Sequence, residues 1–205
     1  MKKNKSTKNW LYKNNREFFF KKSKDYGYRS RSAFKLIEMN DKFGFLKRNS
    51  SLLDLGSSPG GWAQVVSKKI ITGKILAVDI KNMEKIQGVD FISGDLNDKK
   101  IKNKIILYFT NKVDVVLSDM AVNTSGNKDL DSFRTGELCI EAMKLAKTIL
   151  NKNGTFISKI FMGSIFKEID EFAKKSFKNV IKFKPQSSKK ISKEVYIVCK
   201  GNLNI

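Results

Sequence analysis

The sequence predicts an α/β protein, with a largely parallel β-sheet covered by helices. Three observations lead to this fold class. Apolar runs of strand length alternate with amphipathic runs of helical length, a glycine-rich turn joins one strand to a helix, and aspartates end several apolar runs. These aspartates are Asp54, Asp79, Asp95 and Asp119. Because parallel strands end at one edge of the sheet, we expect a ligand site there.

The chain begins with a polar, lysine-rich arm, predicted over residues 1–27. A single domain is expected over residues 28–205, since 205 residues suffice for one core but hardly for two. Its first helix starts at Ser30 or Ser32, either of which can act as the N-cap, and ends near Gly44.

The rest of the domain follows as strands and helices in alternation. Strands are predicted at residues 51–55, 74–80, 89–93, 113–118, 155–161, 180–184 and 195–200. Further helices are predicted at residues 60–71, 131–151 and 165–176. Asn153 and Gly154 are expected to stop the long middle helix.

The charge indicates a polyanionic partner, with nucleic acid as the first choice. Lys and Arg number 41 against 20 Asp and Glu, a formal net charge of +21. A lysine-biased composition would also produce this excess, but would spread it evenly. Residues 1–35 hold 12 basic and 2 acidic side chains, residues 176–205 hold 7 and 1, and the 140 residues between hold 22 and 17. The two ends therefore predict a polyanion-binding surface.

Several classes of site and location are excluded or disfavoured. The lack of histidine excludes a Ser-His-Asp triad, an imidazole base and a histidine-ligated zinc or haem. Cys139 and Cys199 are too few for a cysteine-rich metal site and are expected to be buried thiols in a reducing compartment, so we expect no metal. The chain lacks both a membrane-length apolar run and, in residues 1–15, a signal-peptide core. We expect a cytoplasmic monomer without membrane contact.

Residues 53–62 (LDLGSSPGGW) form the strongest local motif, a strand that enters a glycine-rich turn and then a helix. The spacing of Gly56, Gly60 and Gly61 differs from the G-x-G-x-x-G of dinucleotide-binding proteins. It matches the looser turn of enzymes that use S-adenosylmethionine (SAM). A carboxylate at Asp79 can accept both ribose hydroxyls of a nucleoside, and Asp95 can meet an adenine amine. The alternative is a tight turn with surface aspartates.

Four charged residues lie in apolar surroundings. They are Lys35, Asp119, Lys159 and Glu194. Lys159 interrupts the strand predicted at 155–161, and burial of an ammonium group favours pairing or the neutral form. A neutral lysine can act as the general base that histidine cannot provide here, with Asp119 as its natural partner. Taken singly, each of the four is more often a surface charge.

Four segments in order resemble the FtsJ/RrmJ heat-shock methyltransferases. They are residues 28–36 (YRSRSAFKL), 54–62 (DLGSSPGGW), 118–123 (SDMAVN) and 193–198 (KEVYIV). That family methylates the ribose 2′-hydroxyl of a uridine in 23S ribosomal RNA. The resemblance implies a Rossmann-like, SAM-dependent methyltransferase fold with a seven-stranded, mostly parallel sheet, one antiparallel strand and helices on both faces.

The resemblance also implies roles for residues. A catalytic tetrad would consist of Lys35, Asp119, Lys159 and Glu194, with Lys159 as the proton acceptor. The cofactor SAM would be held around Gly60, Trp62, Asp79, Asp95 and Asp119. Val122 stands where the family usually has proline, which is expected to loosen the loop but to leave Asp119 in place.

Ribosomal RNA, in the large ribosomal subunit, is the expected partner, lying across the same edge of the sheet. Phosphate contacts are expected from Arg29, Arg31, the lysines of the arm, Lys189, Lys190 and Lys193. Base stacking is a weaker expectation for Tyr26, Tyr28 or Tyr196, since such a tyrosine is more often partly buried by packing. Three alternatives remain open: a methyltransferase of transfer RNA or messenger RNA caps, a non-catalytic RNA-binding assembly factor, and a dinucleotide-dependent oxidoreductase.

Overall fold

A computed structural model describes residues 17–123, 125–188 and 192–203, which contain six helices and seven strands. The helices are α1 (17–25), α2 (Ser32–Phe43), α3 (Gly61–Lys69), α4 (Lys99–Tyr108), α5 (Lys128–Ile149) and α6 (Phe166–Ser176). The strands are β1 (Leu52–Leu55), β2 (Ile75–Asp79), β3 (Asp90–Ser93), β4 (Val113–Ser118), β5 (Leu150–Phe161), β6 (Phe177–Phe183) and β7 (Glu194–Asn202). No helix in these ranges is both long and apolar enough to cross a membrane.

The seven strands form one sheet in the order β3-β2-β1-β4-β5-β7-β6. The pairs from β3 through β5 are parallel, whereas β7 runs antiparallel to both of its neighbours. The predicted mostly parallel sheet with one antiparallel strand is therefore confirmed. From β1 the next strands are added toward one side of the sheet, and from β4 they are added toward the other side. At this switch point between β1 and β4, a crevice opens at the carboxyl ends of the two strands.

Helices cover both faces of the sheet, as expected. Leu53 and Leu55 of β1 belong to a core that also holds Met143 of α5 and buried residues of α4 and α6. Leu52, one position away, belongs to a second core that holds Trp62 and buried residues of α2 and α3. Because successive strand residues point to opposite faces, the apolar run of β1 serves both cores.

Two helices lie where none was predicted. Helix α4 is lysine-rich and buries only Ile101 and Ile105, so its apolar periodicity is too weak to stand out. Asp98 starts it by accepting a hydrogen bond from the Lys100 N–H group at 2.8 Å. Helix α1 lies within the segment predicted as an arm. It packs against α2, where the rings of Phe19 and Phe34 are 5.6 Å apart.

The predicted end of the long helix was wrong by a few residues. Helix α5 ends at Ile149, before the predicted stop at Asn153 and Gly154. The chain continues directly into β5, whose pairing with β4 shifts register between Val113 and Val115. The extra residues form an irregularity in the strand, so Gly154 accommodates a bulge instead of a helix end.

Adjacent isoleucines of α4 test whether this helix packs as described. Ile105 is fully buried, whereas Ile106 is 39% exposed. Ile105→Ala should lower the free energy of unfolding by about 2–5 kcal/mol, because it removes buried carbons and leaves a cavity. Ile106→Ala should change it by less than about 1 kcal/mol. Urea unfolding of both variants measures the difference, and equal losses would contradict the orientation of α4.

Candidate active site

The glycine turn between β1 and α3 is shaped by close contacts with its neighbours. Gly56 has a φ of +73°, and a Cβ atom there would lie 2.8 Å from the main-chain nitrogen of Met120. A Cβ atom on Gly61 would lie 2.1 Å from the Oγ of Ser30. Only glycine allows the turn to close against both the loop after β4 and the start of α2.

A cavity of about 400 Å³ opens at the carboxyl ends of β1, β2 and β4. This volume lies within the range of small-molecule sites. Three of the predicted cofactor residues line it, namely Asp79, Asp95 and Asp119. The structure thus brings together side chains that the sequence placed only at the ends of separate strands.

Two of these carboxylates also accept hydrogen bonds from main-chain N–H groups of the surrounding loops. Asp79 accepts hydrogen bonds from the N–H groups of Ser58 at 2.9 Å and Lys81 at 2.8 Å. Asp95 accepts one from the Asn97 N–H group at 2.8 Å. A carboxylate has about four acceptor sites, so each retains capacity for a ligand in the cavity.

The other two predicted cofactor residues lie outside the cavity. Trp62 is 2% exposed, and its indole nitrogen donates to the Ser32 carbonyl at 2.9 Å. Gly60 is the N-cap of α3, in the left-handed region with a φ of +108°. No side chain within the described residues caps α3, so its first main-chain N–H groups lack an intrahelical partner. Contact between Gly60 or Trp62 and a ligand would have to use main-chain atoms.

Asp54 is a candidate that the sequence marked only as a strand-end residue. It is fully buried, and neither carboxylate oxygen has a hydrogen-bond partner in the part of the chain that the structure describes. Burial raises the pKa of Asp54 well above its ordinary value, and the Asp119 and Asp79 carboxylates raise it further. A buried acceptor without a partner is uncommon and indicates a missing donor.

Lys159 and Asp119 form the ion pair nearest the cavity. Lys159 Nζ lies 3.0 Å from Asp119 Oδ1 and also donates to the Asp119 main-chain carbonyl at 2.5 Å. Burial alone would raise the pKa of Asp119, but the ammonium groups of Lys159 and Lys35 hold it below its ordinary value. Asp119 is therefore a carboxylate that both lines the cavity and anchors the lysine.

Lys35 and Glu194 form the second ion pair. Lys35 Nζ lies 2.6 Å from Glu194 Oε1, and their side chains are only 9% and 15% exposed. Helix α2 supplies the lysine, and the first residue of β7 supplies the carboxylate. The predicted tetrad is thus assembled as two ion pairs, in each of which a buried lysine meets a partly exposed carboxylate.

Tyr196 joins the two pairs. Its hydroxyl donates to Asp119 Oδ1 at 3.0 Å and accepts from Lys35 Nζ at 3.4 Å. Because the side chain has 0% exposure, the expectation that Tyr196 stacks on a base is wrong. Tyr196 lies opposite Lys159 in the β5–β7 pairing, and sequence reasoning missed its role because it did not align these two strands.

The predicted RNA contacts have mixed positions. The guanidinium of Arg29 donates to the carbonyls of Pro59, Glu84 and Lys85 at 2.7–3.2 Å, so its donors hold the glycine turn and the loop after β2. Tyr26 is 61% exposed. The predicted contacts at Lys189, Lys190 and the lysines before residue 17 lie outside the described residues, whereas other predicted contacts have accessible side chains. The latter are Lys22, Tyr28 and Arg31, which are partly exposed, and Lys21, Lys24 and Lys193, which are exposed.

Comparisons with known proteins agree on one family. A family model for FtsJ-like methyltransferases matches residues 28–202. The ribosomal RNA large subunit methyltransferase E of Pelagibacter ubique is 50% identical over 200 residues, which cover 98% of each chain. The protein of the same name from Francisella tularensis subsp. holarctica is 42% identical over 200 residues and 97% of each chain.

A solved structure agrees as well. The crystal structure of a ribosomal RNA methyltransferase from Plasmodium falciparum superposes with a TM-score of 0.77 at 35% identity, covering 86% of this chain and 99% of that one. The sheet order, the cavity at the switch point and the paired lysines define a methyltransferase with a Rossmann-like fold. The family match and the identities over nearly the whole chain then place it more narrowly: the chain belongs to the FtsJ-like methyltransferase family.

The unpartnered Asp54 carboxylate should make stability depend on pH. Its pKa in the folded state is raised above the ordinary 3.8, so the folded protein binds the proton more tightly and wild-type stability falls as pH rises above that value. Asp54→Asn removes this titration. Its free energy of unfolding, relative to wild type, should therefore increase from about pH 4 to about pH 7. Urea unfolding of the ligand-free proteins measures this, and a relative decrease would contradict it.

Proposed function

We propose that this protein transfers the methyl group of SAM to the ribose 2′-hydroxyl of a uridine in 23S ribosomal RNA. The observation that carries the proposal is the position of Asp119, which lines the cavity and holds Lys159 Nζ at 3.0 Å. A basic group is thereby placed beside a cofactor-sized space. The relatives named ribosomal RNA large subunit methyltransferase E support ribosomal RNA of the large subunit as the substrate.

The cavity fits SAM through its carboxylates. Asp79 would accept hydrogen bonds from the ribose hydroxyls, and Asp95 would accept one from the adenine amine. Asp54 does not line the cavity but directly precedes the lining residues Leu55 and Gly56, and its unpartnered oxygens match a ligand that carries a positively charged amino group. The first N–H groups of α3, near Gly60 and Trp62, suit a carboxylate because helix N-termini favour anions. SAM contains all four of these chemical groups.

The catalytic step requires a proton acceptor at the attacking hydroxyl. When bound, SAM supplies a methyl group on a sulfonium, an electrophile with a good leaving group. Lys159 in its neutral form has two N–H bonds and one lone pair. The carbonyl and the carboxylate of Asp119 accept hydrogen bonds from these two N–H groups. The lone pair therefore remains available to take the proton of the 2′-hydroxyl. The 2′-hydroxyl oxygen would receive the methyl group as the sulfur of SAM leaves with the bonding electrons, and Lys159 would take the hydroxyl proton.

The remaining residues of the tetrad hold this geometry. Lys35 is paired with Glu194 and reaches Asp119 through the Tyr196 hydroxyl. Orientation of the base matters because an in-line transfer needs the reacting atoms aligned at about 3 Å. Lys35 and Glu194 therefore contribute by fixing Asp119, and through it the direction of the lone pair of Lys159.

The RNA is proposed to lie across the carboxyl edge of the sheet. Arg31 and Lys193 are accessible near the tetrad and would contact phosphates. Tyr26, at 61% exposure, is the ring best placed among the predicted tyrosines to stack on an unpaired base. Arg29 contributes less than the sequence indicated, since its donors are already used within the protein.

Removal of the base should abolish transfer without loss of cofactor binding. Lys159→Ala should reduce methyl transfer by at least about a thousandfold, because general-base catalysis contributes on this scale. The affinity for SAM, measured by calorimetry, should change little, since Lys159 does not line the cavity. Lys104→Ala on α4, an exposed lysine, serves as the matched control and should retain full activity.

The assay transfers labelled methyl groups from SAM to 23S ribosomal RNA, free or in the large subunit, followed by mapping of 2′-O-methylated nucleotides. Retained turnover in Lys159→Ala would rule out its role as base. Transfer to transfer RNA or capped messenger RNA instead would contradict the proposed substrate. RNA binding with no transfer to any of them would identify a non-catalytic assembly factor.

Asp79 should affect the binding of SAM and not the proton transfer to Lys159. Asp79→Ala removes the acceptor for the ribose hydroxyls and releases the Ser58 N–H group, so SAM should bind roughly tenfold to a hundredfold more weakly. Asp41→Ala, an exposed carboxylate on α2, is the control. Calorimetric titration with SAM distinguishes them. An unchanged affinity in Asp79→Ala would exclude its role in ribose binding.

A further inference from the structure

A second buried hydroxyl, besides that of Tyr196, contacts the tetrad without belonging to it. Ser188, in the loop between β6 and β7, is 3% exposed and donates from Oγ to Glu194 Oε1 at 3.0 Å. The same carboxylate oxygen accepts from Lys35 Nζ at 2.6 Å. Glu194 is therefore held from two directions, by an ammonium group on one side and by a hydroxyl on the other.

Helix α2 fixes the turn that carries this serine. One helical turn after Lys35, the Glu38 carboxylate accepts hydrogen bonds from the N–H groups of Gln186 at 2.6 Å and Ser187 at 3.0 Å. The Ser188 N–H group closes the turn onto the Pro185 carbonyl at 3.1 Å. Residues three apart lie on the same helix face, so α2 positions both the lysine and the loop.

We propose that Ser188 is a positioning residue for the proton-transfer site, acting through Glu194. A charge pair alone sets a distance but little direction, whereas the serine hydrogen bond fixes the orientation of the carboxylate. With Glu194 held, Lys35 stays in reach of the Tyr196 hydroxyl. This inference rests on the proposed function, because its effect is read in methyl transfer.

The neighbouring serine provides a matched control. Ser187 is 5% exposed, and its Oγ has no hydrogen-bond partner among the residues that the structure describes. The two serines share a turn and nearly the same burial, yet only Ser188 contacts the tetrad. A role in packing would make both positions matter alike, whereas a positioning role singles out Ser188.

The experiment compares Ser188→Ala, Ser188→Thr and Ser187→Ala in the full chain, with wild type beside them. Ser188→Ala should lower kcat roughly tenfold, because a hydrogen bond to a charged group is lost, and should leave the KM for SAM unchanged. Ser188→Thr keeps the hydroxyl and should restore most of the rate. Ser187→Ala should match wild type. Thermal unfolding of each variant identifies any rate loss that stems from unfolding.

A double variant tests the path through Glu194. If Ser188 acts only by orienting that carboxylate, Ser188→Ala combined with Glu194→Gln should be no slower than Glu194→Gln alone. Additive losses would overturn the proposal, as would an unchanged kcat in Ser188→Ala or an equal loss in Ser187→Ala. A raised KM for RNA at constant kcat would also overturn it, by indicating an RNA contact instead. Absence of transfer by the wild-type protein would count against the proposed function, and not against this inference alone.

Discussion

The two ion pairs of the candidate site, Lys159–Asp119 and Lys35–Glu194, depend on the hydroxyl of Tyr196. The hydroxyl lies between two ion pairs whose lysines are buried and whose carboxylates are partly exposed, and such pairs are tolerated away from water only where each member is paired and hydrogen-bonded. The hydroxyl satisfies Asp119 and contacts Lys35, so that two ion pairs become one network. Burial raises the pKa of Tyr196, and the Asp119 and Glu194 carboxylates raise it further, so the hydroxyl keeps the proton that it donates.

The direction of β7 makes that network possible. A strand antiparallel to β5 begins at the edge where the parallel strands end. Glu194, the first residue of β7, therefore lies opposite Phe161 at the end of β5, and Tyr196 lies opposite Lys159. A parallel strand in this place would begin at the far edge of the sheet and carry both residues away from the cavity. The antiparallel direction of β7 is thus required to bring Glu194 and Tyr196 to the site.

Much of this was predictable, and the failures share a cause. The sheet, its one antiparallel strand and the grouping of strand-end aspartates follow from apolar runs and motif resemblance, which are local signals. Tyr196 was one of three candidates for base stacking, and its actual partner, Asp119, was not foreseen because it is 77 positions away in the chain. Arg29 looked like a phosphate contact because a basic segment does not reveal that carbonyls from two loops surround it. Helix α4 was missed because only two of its residues are buried in the core.

The tetrad and Asp54 differ in how many of their polar atoms have hydrogen-bond or ion-pair partners within the chain. Lys35, Glu194, Lys159 and Asp119 all have partners within the chain, so their geometry exists before any ligand arrives. Asp54 has none among the described residues, and its carboxylate is destabilising until a donor reaches it. Proton transfer demands preorganised groups, whereas ligand binding gains free energy when a buried acceptor is satisfied. The unsatisfied Asp54 therefore differs from Asp79, Asp95 and Asp119, whose carboxylates line the cavity and already accept hydrogen bonds within the chain.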